Sequence, residues 1–337
     1  MKVRSKAPLR LGLAGGGTDV SPYCDNHGGA VLNVTIDMFA RCMITDDVSD
    51  LEFISEDYDI NLKCDLGLQK LDGELLLHKA VYNKIFSRYL DSNYIPLKIV
   101  TNCDAPPGSG LGSSSTIVVS MIKAYAEFFN LVINEYELAD LAFEIERIDC
   151  GLHGGYQDQY SAAFGGVNFI EFHGNRKCIV HRLRIKDSTL NELEESIVLF
   201  FTGISRSSEK IIDHQRSAIK NEHRLSALHD VKKYAEAIKE SLLSGDLENF
   251  YIQQNKSWNA KKATSKYISN DYIDKINKNL TNIGVKGSKI SGAGGGGFMM
   301  IFIDPSIRKN VNNLLKEYDG EVFSFHFTSK GAQAWKI

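Results

Sequence analysis

The sequence predicts an α+β protein of two domains, and three observations carry that reading. The chain has 337 residues, which suits two domains of ordinary size. The first half alternates short apolar, strand-like blocks with helical segments. The second half runs strand, helices, strand, strand, helix, strand, a split βαβ order with a ferredoxin-like outline. The boundary is expected near residue 190, giving domains 1–190 and 191–337.

The blocks 3–14, 30–44 and 51–55 read as strands, because apolar residues alternate or run in short stretches. Residues 78–90 carry helical spacing, and 96–102 (PLKIVTN) form a strand leading into a glycine-rich loop. Asn134 followed by Glu137 forms a capping box: the amide side chain accepts from a free N–H, and the Glu reaches back. The helix 137–148 comes next, then the strand 164–172. Residues 196–203 begin the second unit as a strand, and helices dominate from about 206 to 283. Strands at 286–291 and 298–303, a helix at 306–318 and a strand at 321–327 complete it.

Hydrophobic residues make up 43% and charged residues 24%, ordinary values for a soluble globular chain. The formal net charge of -3 provides no basic field for nucleic acid. The Lys pairs in 231-VKKY-234 and 260-AKKA-263 read as solvated helix faces. The six Cys show no C-x-x-C spacing, and read as free thiols in a reducing compartment. The nine His show no zinc spacing. The basic N-terminus dissolves into glycine and is no secretory signal; no apolar run is long enough for a bilayer. A cytoplasmic protein without a membrane partner is expected. A homodimer is compatible with the sequence, which does not demand one.

Three glycine-rich stretches remain: 12-GLAGGGTD-19, 108-GSGLGSSST-116 and 292-GAGGGG-297. The third fits G-x-G-x-x-G, but a strand succeeds it where a dinucleotide fold requires a helix. The second lacks the Lys of a Walker loop, yet shares its physics. A side-chain-poor loop entering a helix presents free N–H groups at the positive end of the helix dipole, where a polyphosphate can approach. The hydroxyls of Ser113, Ser114, Ser115 and Thr116 add donors and hard oxygen ligands suited to Mg²⁺. Two prolines stiffen the approach to this loop.

The residues APPGSGLGSSST at 105–116 resemble the central motif of the GHMP kinases, a family that includes galactokinase, homoserine kinase, mevalonate kinase and phosphomevalonate kinase. Residues 7–19 resemble the family's first motif and residues 290–298 its third, in the right order along essentially the whole chain. The resemblance implies an N-terminal α+β domain, a ferredoxin-like C-terminal domain, and ATP in the cleft between them. It implies a phosphate loop from Pro107, Gly108, Ser109, Gly110, Leu111, Gly112, Ser113, Ser114 and Ser115. Asp158, in 151-GLHGGYQDQYSAAFGG-166, lies in a segment similar to that carrying the galactokinase catalytic aspartate. It is the candidate general base, and Arg10 matches the family's catalytic basic residue. Such an Arg keeps the carboxylate ionised and stabilises charge on the transferring group. Glu146 with Ser114 is the implied Mg²⁺ pair, with Ser113 and Ser115 one register away.

The acceptor reading rests on Gly15, Gly16, Gly17, Thr18 and Asp19, with Gly294 and Gly295 of the third motif. Thr18-Asp19 matches the galactokinase pair that binds sugar hydroxyls, and a carboxylate suits a polyol. Galactokinases carry Glu-His where this chain has Gly16-Gly17, which disfavours galactose and favours a bulkier or differently shaped sugar. Residues 9–37 are similar to those of bacterial heptose 7-phosphate kinases, and fucokinases carry a related Ala-Gly-Gly-x-Thr-Asp. The implied substrates are ATP and a sugar phosphate, with transfer to the anomeric hydroxyl. A distal phosphate needs a second anion site, for which Arg206, Lys210 and Arg41 are candidates. A kinase for an unphosphorylated sugar is the alternative within the class. A non-catalytic sugar and nucleotide sensor is the alternative outside it, opposed by the presence of Arg10, Ser114, Glu146 and Asp158.

Overall fold

The computed structural model describes residues 1–174, 176–204 and 209–337, and within these the side chains of all but 209, 210, 215, 218 and 220. The strands in chain order are β1 (Lys2–Ala14), β2 (Gly29–Thr45), β3 (Leu51–Ser55), β4 (Ile60–Cys64), β5 (Lys98–Cys103), β6 (Val167–His173), β7 (Lys177–Arg182), β8 (Ile197–Phe201), β9 (Gly287–Ile290), β10 (Phe298–Phe302), β11 (Glu321–Phe323) and β12 (Gln333–Lys336). The helices are α1 (Tyr23–His27), α2 (Leu76–Tyr89), α3 (Ser113–Phe129), α4 (Glu135–Phe143), α5 (Gln157–Phe164), α6 (Asp187–Glu195), α7 (Glu209–Arg216), α8 (Glu222–Ser244), α9 (Leu247–Thr264), α10 (Asp271–Asn282) and α11 (Arg308–Leu315).

The first sheet has the order β12-β1-β2-β5-β3-β4. The long β2 branches: residues 40–45 pair with β5, and residues 29–34 pair with β6, which carries β7. Between β1 and β2 the register shifts twice, at Pro8/Arg10 and at Gly12/Ala14. Such bulges bend a strand and re-aim its side chains. Here they flank Arg10. Helix α3 crosses this sheet and is apolar nearly all round, burying residues such as Val118, Ile122 and Tyr125, as a central helix must.

The second sheet has the order β11-β8-β10-β9, with β8 antiparallel to β10 and β11 and β9 antiparallel to β10. Taken in chain order, that is the 4-1-3-2 arrangement of a ferredoxin-like unit, as the split βαβ pattern predicts. The two sheets share one apolar core: Leu9, Leu11 and Leu13 of β1 cluster with Leu199, Phe250, Phe298 and Met300.

Two elements depart from the sequence reading. The strand expected over 321–327 divides: Glu321–Phe323 pairs with β8, whereas Phe327 bridges Ile36 of the first sheet. The chain then ends as β12 against β1, a strand of four residues too short to show alternation. The helix expected over 137–148 is α4 continued by a π-helical turn, Glu144–Asp149. π-turns recur at functional sites because the extra residue rotates the side chains beyond it about the helix axis. The capping box at Asn134 and Glu137 is present in full.

Candidate active site

A cavity of about 450 Å³ opens between the two sheets' domains. Its walls come from the turn after β1, the start of α3, the π-turn, the loop before α5, α9, and the Gly292–Ala293 segment.

Arg10 joins these parts. It is 4% exposed, and its Nε and Nη2 both approach Asp158 Oδ1, at 2.8 and 2.6 Å. Its Nη1 donates to the carbonyl of Gly110 at 2.6 Å and to Ser291 Oγ at 3.3 Å. The same residue's backbone N–H donates to the Leu111 carbonyl at 3.2 Å. One side chain therefore touches the second glycine-rich stretch at Gly110, Ser291 just ahead of the third, and Asp158. Arg10 grips Oδ1, while Oδ2 faces the start of α3: a Cβ on Gly112 would lie 3.2 Å from it.

Helix α3 begins at Gly112 in the left-handed region, with no side chain capping its first turn. Its opening N–H groups and the hydroxyls of Ser113, Ser114 and Ser115 border the cavity with Gly108, Gly110 and Gly112. That combination is what an anion requires. Ser109 and Leu111 point elsewhere. Leu111 is wholly buried in the shared core, and the Ser109 carbonyl accepts from Phe298 N–H at 2.9 Å. Thr116 returns its hydroxyl to the Gly112 carbonyl at 2.8 Å. Pro107 lines an adjoining, mostly apolar pocket of about 300 Å³ with Tyr58, Leu75, His78 and Ile117.

Glu146, on the π-turn, is 1% exposed. Ser114 Oγ donates to its Oε1 at 3.4 Å, and Gln159 Nε2 approaches its Oε2 at 2.5 Å. The reading of Glu146 and Ser114 as a pair matches this geometry. Ser115 is taken up instead by Gln159 and Arg147, at 3.1 and 3.5 Å. Among the described residues no three His, Cys, Asp or Glu converge as an all-protein metal cage.

Asp19 is 5% exposed and accepts from Gly17 N–H at 3.0 Å and Gln157 N–H at 3.1 Å. Burial raises its pKa above the usual carboxylate value, the two N–H groups oppose that rise, and the charge of Asp158 adds to it. Thr18 is hydrogen-bonded within the turn: its hydroxyl lies in donor range of the carbonyls of Gly15 and Ala30 and accepts from Ala30 N–H. Gly15 packs on the Ala30 carbonyl, leaving Gly16, Gly17 and Asp19 at the cavity.

The remaining candidates lie elsewhere or outside the described residues. Gly294 and Gly295 turn away from the cavity: Gly294 packs on Ile268, and Gly295 N–H donates to the Ile268 carbonyl at 2.6 Å. Gly292 and Ala293 line the cavity in their place. Arg41 is committed to Asp104, with Nη2 to Oδ2 at 2.9 Å. Arg206 and the Lys210 side chain lie outside the described residues.

The largest surprise is Lys261, read as part of a solvated helix face. It is 5% exposed and lines the cavity, with Nζ donating to the Gly292 carbonyl at 2.6 Å. Burial lowers its pKa to about 8; Asp19 and Asp158 oppose the fall and Arg10 adds to it. A signal existed. On α9 the buried residues Phe250, Gln254, Ser257, Trp258, Lys261 and Thr264 recur three and four apart, so position 261 faces inward. Lys289 is also buried, donating to the Gly12 and Leu13 carbonyls at 2.9 and 2.6 Å.

Comparisons with known proteins accord with this geometry. Family models described as the GHMP kinases N terminal domain and the GHMP kinases C terminal match residues 76–166 and 235–318. The chain is 42% identical, over 99% of both chains, to the D-glycero-alpha-D-manno-heptose 7-phosphate kinase of Campylobacter jejuni. Among solved structures, a D-glycero-D-manno-heptose 1-phosphate kinase named as from Bacteriodes thetaiotaomicron superposes with a TM-score of 0.84 at 40% identity, covering 99% of each chain. A putative sugar kinase from Campylobacter jejuni gives a TM-score of 0.83 at 41% identity, covering 100% of this chain and 98% of that one. With the glycine-rich loop at the head of α3, the Arg10–Asp158 pair and these matches over its full length, the chain belongs to the GHMP kinase family.

Proposed function

We propose that this protein transfers the γ-phosphoryl group of ATP to the anomeric hydroxyl of D-glycero-α-D-manno-heptose 7-phosphate, giving the 1,7-bisphosphate and ADP. Such a product suits a route to nucleotide-activated heptose for surface polysaccharide. The observation that carries the chemistry is Arg10 holding Asp158 by one oxygen, with the other turned toward the head of α3. The sugar assignment is supported by the 42% identical relative.

In this reading the N–H groups at 108–115 and the hydroxyls of Ser113 and Ser114 hold the β- and γ-phosphates, and the adenine lies in the apolar pocket beside Pro107. Asp19 accepts from sugar hydroxyls. Asp158 Oδ2 takes the proton of the attacking hydroxyl as its oxygen bonds to the γ-phosphorus and the bond to ADP breaks. Arg10 fixes Asp158 by its Oδ1 and brings positive charge beside the transferring group. Glu146 and Ser114 would hold Mg²⁺: one buried carboxylate and a hydroxyl suit an ion that takes its other ligands from phosphates and water. Bound there, Mg²⁺ neutralises charge on the phosphate oxygens. The domains divide near residue 190, with the last strand returning to the first. The six free cysteines favour a reducing, cytoplasmic setting.

The names of the relatives differ over which phosphate the sugar already bears, so the test offers both. Purified protein with ATP and Mg²⁺ should release ADP with the heptose 7-phosphate. Turnover should be weaker with the 1-phosphate, galactose and fucose. Absence of ADP release across all four rejects the reading; preference for a neutral sugar favours the fucokinase- or galactokinase-like alternative. Glu146→Gln should raise the Mg²⁺ concentration needed for half-maximal rate by about tenfold or more, since an anionic ligand becomes neutral. An unchanged Mg²⁺ titration would remove Glu146 from that role.

A further inference from the structure

We propose that the Lys261 ammonium is a donor of the sugar site, complementary to the acceptor Asp19, and so helps determine which acceptor is accepted. The proposal rests on the sugar-kinase reading above and adds to it a specificity role for a residue of α9.

The argument begins with a missing side chain. A Cβ on Gly16 would meet Lys261 Nζ at 3.2 Å and Gln157 Oε1 at 3.8 Å. Position 16 therefore faces the Lys261 ammonium and the Gln157 carbonyl oxygen, and glycine there keeps the space before Lys261 open. Lys261 is 5% exposed and lines the cavity with Asp19 and Asp158. An ammonium has three protons to donate. One is used on the Gly292 carbonyl. A polyol can take the others: its hydroxyls or ring oxygen accept from Lys261, while its O–H groups donate to Asp19. Asp19 is acceptor-only when ionised and Lys261 donor-only when charged, so the pair reads direction as well as position.

Lys261 comes from the C-terminal half, whereas Asp19, Gln157 and Asp158 come from the N-terminal half. Sugar bound between them also links the domains. The titratable and charged groups around Lys261 are Arg10 on β1, Asp19 in the succeeding turn, Asp158 on α5 and Lys289 on β9. The Lys261 ammonium is half-titrated near pH 8, by burial first. Above that pH its charge is lost and sugar binding weakens, whereas the backbone N–H groups proposed to hold ATP do not titrate.

The test uses Lys261→Met in the full chain, with heptose 7-phosphate as probe. Lys261→Met should raise the sugar KM, and its Kd with a non-hydrolysable ATP analogue bound, by about thirtyfold, the worth of a charge-assisted hydrogen bond. The KM for ATP should stay within about twofold, because Lys261 does not touch residues 108–115. In the wild type, kcat/KM for the sugar should decline above pH about 8, and Lys261→Met should abolish that decline. A merely structural Lys261 would alter ATP and sugar affinity together and leave the pH profile in place. That result, or a fall in kcat with sugar KM unchanged, overturns the proposal. Should Lys261→Met fail to fold, Lys261→Gln takes its place with the same comparison of sugar and ATP affinity, and an unchanged sugar KM is the overturning result. If wild-type protein ignores heptose 7-phosphate, the substrate assignment fails by itself. The same comparison is then made with whichever of galactose or fucose it phosphorylates.

Discussion

Asp158→Asn should lower kcat by about three to four orders of magnitude at saturating ATP and sugar, the range attributable to loss of a positioned general base. Asn is close in shape, and its oxygen can still accept from Arg10 in the position now held by Oδ1 at 2.8 and 2.6 Å. The substitution takes away the second oxygen's ability to accept a proton, and the charge beside the head of α3. The affinity for a non-hydrolysable ATP analogue should therefore change by no more than about twofold, because the phosphates are held by backbone N–H groups. Rapid-quench measurement of the first turnover separates chemistry from product release. A chemical step slowed by less than about tenfold would show that Asp158 is no base. The burial of Arg10 explains why the reverse substitution is the less informative one. Removing Arg10 leaves the Gly110 carbonyl, Ser291 and Asp158 without their shared partner, so structure and chemistry would fail together.

The second large effect concerns Gly297, in the third glycine-rich stretch. Its φ is +84°, and a Cβ there would lie 2.2 Å from the carbonyl oxygen of Ser109. The backbones of the two glycine-rich stretches are in direct contact at this point, fastened by Phe298 N–H donating to the same Ser109 carbonyl at 2.9 Å. Gly297→Ala should cost about 3 kcal/mol of stability, from left-handed strain of about 1–2 kcal/mol plus displacement of the Ser109 backbone. It should also weaken ATP-analogue binding by about tenfold or more, since the displaced backbone is the phosphate loop. Gly284 is the control: its φ is +87°, with nothing within 4 Å of its Cβ position. Gly284→Ala should show the strain without the loss of ATP affinity. Denaturant midpoints and calorimetric titration of the analogue check both. If the two variants behave alike, the contact between the stretches is unimportant for the site.

These two residues show how unevenly a site can be read from sequence. Gly297 is visible as part of a glycine run, but not its purpose, which is to let backbone 297–298 lie on backbone 109–110. Asp158 stands out by its glycine-rich surroundings, and the geometry adds the oxygen by which Arg10 holds it. Thr18, Gly294 and Gly295 read as sugar contacts because they belong to the stretches that resemble the family's first and third motifs. Their hydrogen bonds and packing are instead spent on Ala30 and Ile268. Neighbourhood in sequence does not tell which face of a turn a group occupies, since adjacent residues point in opposite directions.

By itself, the sequence carried the class of fold, the glycine-rich loop with its helix, and the helix cap at Asn134, all from local rules of periodicity and missing side chains; Arg10, Asp19, Glu146 and Asp158 stood out through resemblance to the family's motifs. Only the tertiary structure decided that β12 returns to the first sheet, that a π-turn buries Glu146, and that Lys261 enters the cavity. Each depends on groups far apart in the chain. A buried lysine is tolerated only where carbonyls and carboxylates meet it, and those of Gly292, Asp19 and Asp158 converge only once the two domains have packed.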